Sequence, residues 1–146
     1  MRGFFEIGIY RGKCAANVGT LWRSAYQLGA AGIFTVGRRY PKQAGDTVHA
    51  ERHVPCREFG DVDAFVAALP YGAALVAVEM GGRPLNSFVH PQRAVYLLGA
   101  EDRGIPAELL ARAKHVISLP AVRTQSYNVA VAGSIVMFDR LTKGDA

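Results

Sequence analysis

Apolar residues recur along this chain in two rhythms. Short, nearly uninterrupted apolar runs at residues 4–10, 33–36, 73–78, 94–98 and 116–119 have the length and composition of strands. Runs without polar alternation predict strands covered on both faces, as in a mainly parallel sheet. Between them lie stretches with helical spacing. Residues 18–28 form one, with Asn17 as N-cap and Gly29 as terminator. Residues 61–69 form a second, with Val62, Phe65, Val66 and Leu69 on one face and Pro70 closing it. Residues 106–113 form a third, with proline in its first turn. Residues 48–54 read as a further short strand. Strand and helix patterns that alternate in this way predict an α/β domain, a mainly parallel sheet flanked by helices.

The final helical segment, residues 128–141, breaks the amphipathic rule. Val129, Ala130, Val131, Ala132, Gly133, Ile135, Val136, Met137 and Phe138 leave it almost no polar face. A helix apolar all round must be covered on most sides. It carries more apolar surface than a 146-residue monomer covers alone, so a homodimer with an isologous two-fold interface is expected.

Half of the residues are hydrophobic and a fifth are charged, as in ordinary soluble domains. No apolar run approaches the roughly 20 residues needed to cross a bilayer. An acid at Glu6 interrupts the place where a signal peptide would continue its apolar region. Two cysteines, Cys14 and Cys56, supply no disulfide framework and suit a reducing cytosol. The cytoplasm is therefore the expected compartment. The net charge of +5 favours a polyanionic partner. Arg2, Arg11, Lys13, Arg38, Arg39, Lys42, Arg52 and Arg57 crowd into the first 57 residues, which tilts that part of the chain towards RNA. With no repeat, low-complexity tract or linker, residues 1–146 read as one domain without a separate RNA-binding extension.

Three segments carry candidate chemistry. In Asn17-x-Gly19-x-x-x-Arg23, Asn17 stands at a helix start and Arg23 nearly two turns in, off the same stripe. Taken alone, this is a cap and a solvated arginine. Gly99-Ala100-Glu101-Asp102-Arg103-Gly104 follows an apolar strand, where open α/β sheets bind ligands. Its glycine spacing resembles a phosphate loop, but Ile105 and Pro106 stand where Lys and Ser or Thr are required. The first strand is not followed by Gly-x-Gly-x-x-Gly, against an ordinary dinucleotide fold. Leu119-Pro120 ends another strand, where free backbone groups can meet a ligand, and Ser126-Tyr127-Asn128 opens the last helix, with Ser126 suited to an N-cap. His49, His53 and Cys56 are spaced like metal ligands but lack a fourth, so no metal is expected. His90 and His115 stand alone, as surface or satisfied core residues.

These segments, in this order, resemble the three motifs of the SPOUT superfamily of RNA methyltransferases, in its TrmH-like (SpoU) branch, over nearly the whole chain. The resemblance implies a C-terminal deep trefoil knot, a homodimer and transfer of a methyl group from S-adenosylmethionine to a ribose 2′-hydroxyl of RNA. The short form resembles the subgroup acting on the tRNA wobble-position ribose; rRNA, a base methylase and an inactive RNA-binding module are the alternatives. Residue by residue, it implies Arg23 as the group acting on the ribose hydroxyl, with Asn17 beside it and Glu101 supporting Arg23 through an ion pair. It implies cofactor contacts at Val78, Gly99, Glu101, Gly104, Leu119, Ser126, Tyr127 and Asn128. Tyr127 departs from the leucine or methionine usual there. Arginine, with a pKa above about 12, is a poor proton acceptor. A clamp on the substrate phosphate, with water or phosphate oxygen taking the proton, therefore stands beside a general-base role for Arg23.

Overall fold

A computed structural model describes residues 3–37, 50–99 and 103–144. The chain runs β1 (Phe4–Tyr10), α1 (Ala15–Leu28), β2 (Gly32–Val36), a 3-10 turn (Ala50–Arg52), β3 (Cys56–Phe59), α2 (Val62–Ala67), β4 (Ala74–Pro84), β5 (Arg93–Leu98), α3 (Ala107–Arg112), β6 (His115–Ser118) and α4 (Val129–Lys143). The six strands form one sheet in the order β3-β2-β1-β5-β4-β6, and every neighbouring pair is parallel. The α/β sheet flanked by helices is thus the one the apolar rhythm implies.

Each face of the sheet buries its own layer. Phe5, Ile7 and Ile9 of β1 join Tyr96 and Leu98 of β5 beneath α1 and α4. Val95 and Leu97 join Phe34, Phe65, Leu75 and Leu109 on the opposite face, towards α2 and α3. Period-two alternation within strands covered on both sides produces this division. Gly8 is held small by a close approach: a Cβ there would lie 2.3 Å from the Phe34 ring.

The structure corrects three local expectations. No strand forms within 50–54; a 3-10 turn stands there, and residues 48 and 49 lie outside the described residues. The strand that pairs with β2 is Cys56–Phe59 instead. Its polar residues hid it. At the sheet edge Arg57 donates to Glu6 at 2.7 Å and lies 5.2 Å from the Phe59 ring centre. Helix α1 starts at Ala15 with Cys14 as N-cap, which leaves Asn17 inside the first turn. Helix α4 is capped by Asn128, whose side chain accepts from the N–H groups of Ala130 and Val131, so Ser126 is not its N-cap. Gly29 does end α1, in the left-handed conformation at φ 90°.

Helix α4 is anchored at its far end by a buried polar chain. Its Asp139 accepts from His90 Nε2 at 2.7 Å, while His90 Nδ1 lies 2.7 Å from the Tyr96 hydroxyl. Arg140 donates to that hydroxyl and to the carbonyls of Pro91 and Gln92. Lys143 donates to the carbonyls of Leu85 and Phe88 and pairs with Asp139 at 2.9 Å. One tautomer satisfies every member: neutral His90 donates from Nε2 and accepts the Tyr96 proton at Nδ1. Burial, with the charges of Arg140 and Lys143, pushes the His90 pKa down against the pull of Asp139. Its proton is therefore bound more tightly by the unfolded chain, whose imidazole titrates near pH 6.5. Stability is full above about pH 6.5 and falls as the pH drops below it. Thermal midpoints measured from pH 7.5 to 5 should show this decline, and His90→Gln should start lower but decline less.

Candidate active site

The strand order reverses between β1 and β5. From β1 the chain proceeds outward to β2; from β5 it proceeds in the other direction to β6. Helices then diverge and leave a crevice at the carboxyl ends of the strands. A cleft of about 660 Å³, counted out to its open mouth, lies at this end. Leu98 ends β5 and Gly99 follows it, Val78, Glu79 and Met80 come from β4, and Ser118 ends β6 with Leu119 following it. Gln125, Ser126 and Tyr127 precede α4, which contributes Val129 and Ala132.

Two glycines shape the floor. Gly104 adopts φ 65°, and a Cβ there would lie 2.5 Å from Glu79 Oε2. A Cβ on Gly99 would meet the backbone carbons of Gly104 at 2.7 and 2.9 Å. Gly99 therefore lies directly against Gly104 and Ile105, and a side chain on Gly104 would both take a left-handed backbone and displace Glu79. On the opposite wall, the Tyr127 hydroxyl donates to the carbonyl of Pro120 and closes the loop between β6 and α4. The ring packs against the core layer beneath α1 and α4, so the departure at this position adds a latch to the loop.

The first and third motifs meet directly. Asn128 Nδ2 donates to Asn17 Oδ1 at 3.1 Å, across 111 residues of sequence. Asn128 uses its oxygen to cap α4 and its nitrogen to hold α1. Of the expected cofactor contacts, Val78, Gly99, Gly104, Leu119, Ser126 and Tyr127 all line the cleft, whereas Asn128 stands beside it, next to Val129. Arg23 is exposed on α1, about 9 Å along the helix from Asn17, and does not line the cleft. Glu101 and its ion pair with Arg23 lie outside the described residues, as does His49. His53 stacks on Tyr26 at 5.1 Å, and burial with the Glu58 charge pushes the Cys56 thiol up to about 11, which keeps it protonated. The sequence reading missed Glu79, Met80, Ser118 and Gln125. An acid just past a buried strand and just before Met80-Gly81-Gly82 was the available signal for Glu79.

Residues 6–138 match the sequence model of the SpoU rRNA Methylase family. The chain belongs to that family. A relative from Archaeoglobus fulgidus, described as an uncharacterized tRNA/rRNA methyltransferase, is 27% identical over 131 residues, covering 84% of this chain and 57% of that protein. The chain thus spans little more than half of that relative's length. An AdoMet-bound rRNA methyltransferase from Sinorhizobium meliloti is 27% identical, with a TM-score of 0.80 over 95% of this chain and 56% of that one. A structure described under the 2-OH methylation of C/U34 on tRNA shares the fold over 100% of this chain and 94% of its own, with a TM-score of 0.83 and 24% identity. The family fold accounts for the placement of all three motifs at one end of the sheet.

The glycine turn gives a direct test. Gly104→Ala adds left-handed strain and a clash with Glu79, and Gly99→Ala forces two backbone segments apart. Each should cost about 2 kcal/mol in urea unfolding. A change below about 0.5 kcal/mol in both would show that the turn tolerates side chains.

Proposed function

We propose that this chain is an S-adenosylmethionine-dependent RNA 2′-O-ribose methyltransferase, with tRNA as its substrate, acting as a homodimer in the cytoplasm. The observation that carries this reading is the Asn128–Asn17 hydrogen bond, which joins the first and third motifs at the edge of the cleft floored by the second. The full-length likeness in fold to the structure described under tRNA 2-OH methylation supports tRNA over rRNA.

The cleft suits such a cofactor. Val78, Leu98, Leu119 and Tyr127 offer an apolar slot for a purine, and Gly99 and Gly104 let backbone approach it. Glu79, Ser118, Gln125 and Ser126 supply polar partners. When bound, S-adenosylmethionine supplies a methyl group on a positively charged sulfur that leaves as a neutral thioether. Asn17, fixed by Asn128, orients the start of α1. Arg23 holds the substrate phosphate through its planar fork and presents the ribose hydroxyl to the cleft, while water or a phosphate oxygen takes the hydroxyl proton. Arg11 and Lys13, both exposed after β1, extend a positive rim for the RNA backbone. Glu101 supports Arg23 in this scheme.

The dimer reading has its own support. Val131, Phe138 and Leu141 of α4 remain 47%, 58% and 55% exposed and fall on one stripe, three positions that a second copy would cover. The C-terminal trefoil knot belongs to the same reading. It is supported by the path of the chain from edge strand β6 back across the sheet to α1.

Calorimetry should detect S-adenosylhomocysteine binding, and Arg23→Ala should retain that affinity while methyl transfer to RNA collapses. Arg23→Lys should fail to rescue, because lysine lacks the bidentate fork. Near wild-type turnover in Arg23→Ala would remove Arg23 from the mechanism. Sedimentation should give a dimer mass, converted to monomer by Phe138→Glu; a monomer at every concentration of wild-type protein would overturn the dimer.

A further inference from the structure

Strand β4 breaks its pairing with β6 at the cleft. Val78 pairs with Ile117, and pairing resumes at Arg83, again against Ile117. Residues 79–82 bulge out between these two pairs. Gly81 takes φ 84°, and a Cβ on Gly82 would lie 2.7 Å from the Val116 backbone. Bulges of this kind re-aim a side chain at a sheet's end. The side chain re-aimed here is Glu79.

Glu79 is half-buried and lines the cleft. Its Oε2 accepts from the Ile105 N–H at 2.8 Å and its Oε1 from the Met80 N–H at 3.3 Å. It fills the space that a side chain on Gly104 would need. A carboxylate has about four acceptor sites, and the two backbone donors leave about two. Among the described residues it has no ion pair. A negative charge in a half-open apolar cleft without a cation calls for a donor from outside the chain.

We infer that Glu79 is a cofactor-binding residue: the carboxylate that braces the glycine turn also accepts a hydrogen bond from the donor end of the cofactor, either its ribose diol or its ammonium group. This rests on the S-adenosylmethionine reading above. It assigns to the β4 bulge a contact that the three motifs do not contain. The bracing and the binding are one device, since the same two oxygens set the shape of the floor and its charge.

The test is Glu79→Gln, which keeps the volume and one acceptor for the Ile105 N–H but cannot accept as a carboxylate does. Wild type and variant are titrated with S-adenosylhomocysteine and with 5′-methylthioadenosine, which keeps the diol and lacks the ammonium. The variant should bind S-adenosylhomocysteine about tenfold more weakly or worse. A similar loss with 5′-methylthioadenosine assigns the diol as partner, and an undiminished affinity for it assigns the ammonium. Binding of both ligands within about twofold of wild type would overturn the inference and leave Glu79 as a turn brace. So would a loss that vanishes when the titration is repeated well below the variant's unliganded melting midpoint. Wild-type protein that binds neither ligand would instead remove the cofactor reading, and this inference with it.

Discussion

The closeness of α4 to α1 governs the whole active end of the molecule. Gly133 makes it possible: a Cβ there would stand 2.5 Å from Leu21 Cδ1 and 2.9 Å from Leu98 Cδ1. With hydrogen at that position, α4 settles against α1 and the end of β5 together, and Ser134 donates to Ser24 at 2.9 Å across the same seam. Two consequences follow at the site. Val129 and Ala132 become a wall of the cleft, and Asn128 comes within hydrogen-bonding reach of Asn17. At the other end of α4, the His90–Asp139–Tyr96–Arg140 chain and Lys143 tie the helix to residues 85–92. The helix is thus fixed at both ends and pressed in the middle, which suits a scaffold that must hold parts from distant sequence in register.

The cleft is built from backbone as much as from side chains. Gly99 lies against Gly104 and Ile105, the β4 bulge swings Glu79 across to the Ile105 N–H, and Tyr127 latches the loop opposite through Pro120. Glu79 thereby ties the β4 bulge to Ile105, and Tyr127 closes the loop between β6 and α4 on itself. Preorganisation of this kind reduces the ordering cost of binding.

Much of this was legible in the sequence because the strands are buried on both faces and therefore read as uninterrupted apolar runs. The five runs fall on β1, β2, β4, β5 and β6. The sixth strand escaped because it lies at an edge, where Arg57 and Glu58 can stand in a β-strand and an ion pair to Glu6 substitutes for apolar burial. Residues 48–54 drew attention instead because Val54 is apolar; it is buried, but as the end of a turn whose carbonyl accepts from Trp22. The caps were misplaced by a few residues, since Asn17 and Ser126 are good capping types that other contacts displaced. Among the residues set by motif spacing, Gly99, Gly104, Leu119, Ser126 and Tyr127 line the cleft, Arg23 and Asn128 do not, and Glu101 lies outside the described residues. Glu79 did not show itself, because its role comes from a bulge, and a bulge depends on the register of two strands that sequence spacing does not record.

The central claim is that this arrangement methylates the ribose of RNA. Incubation of purified protein with tRNA and S-adenosylmethionine carrying a deuterated methyl group, followed by mass spectrometry of the released nucleosides, tests it most directly. The account predicts a labelled methyl group that stays with the ribose fragment. Label on the base fragment, or none on tRNA or rRNA with a protein that binds S-adenosylhomocysteine, would contradict it.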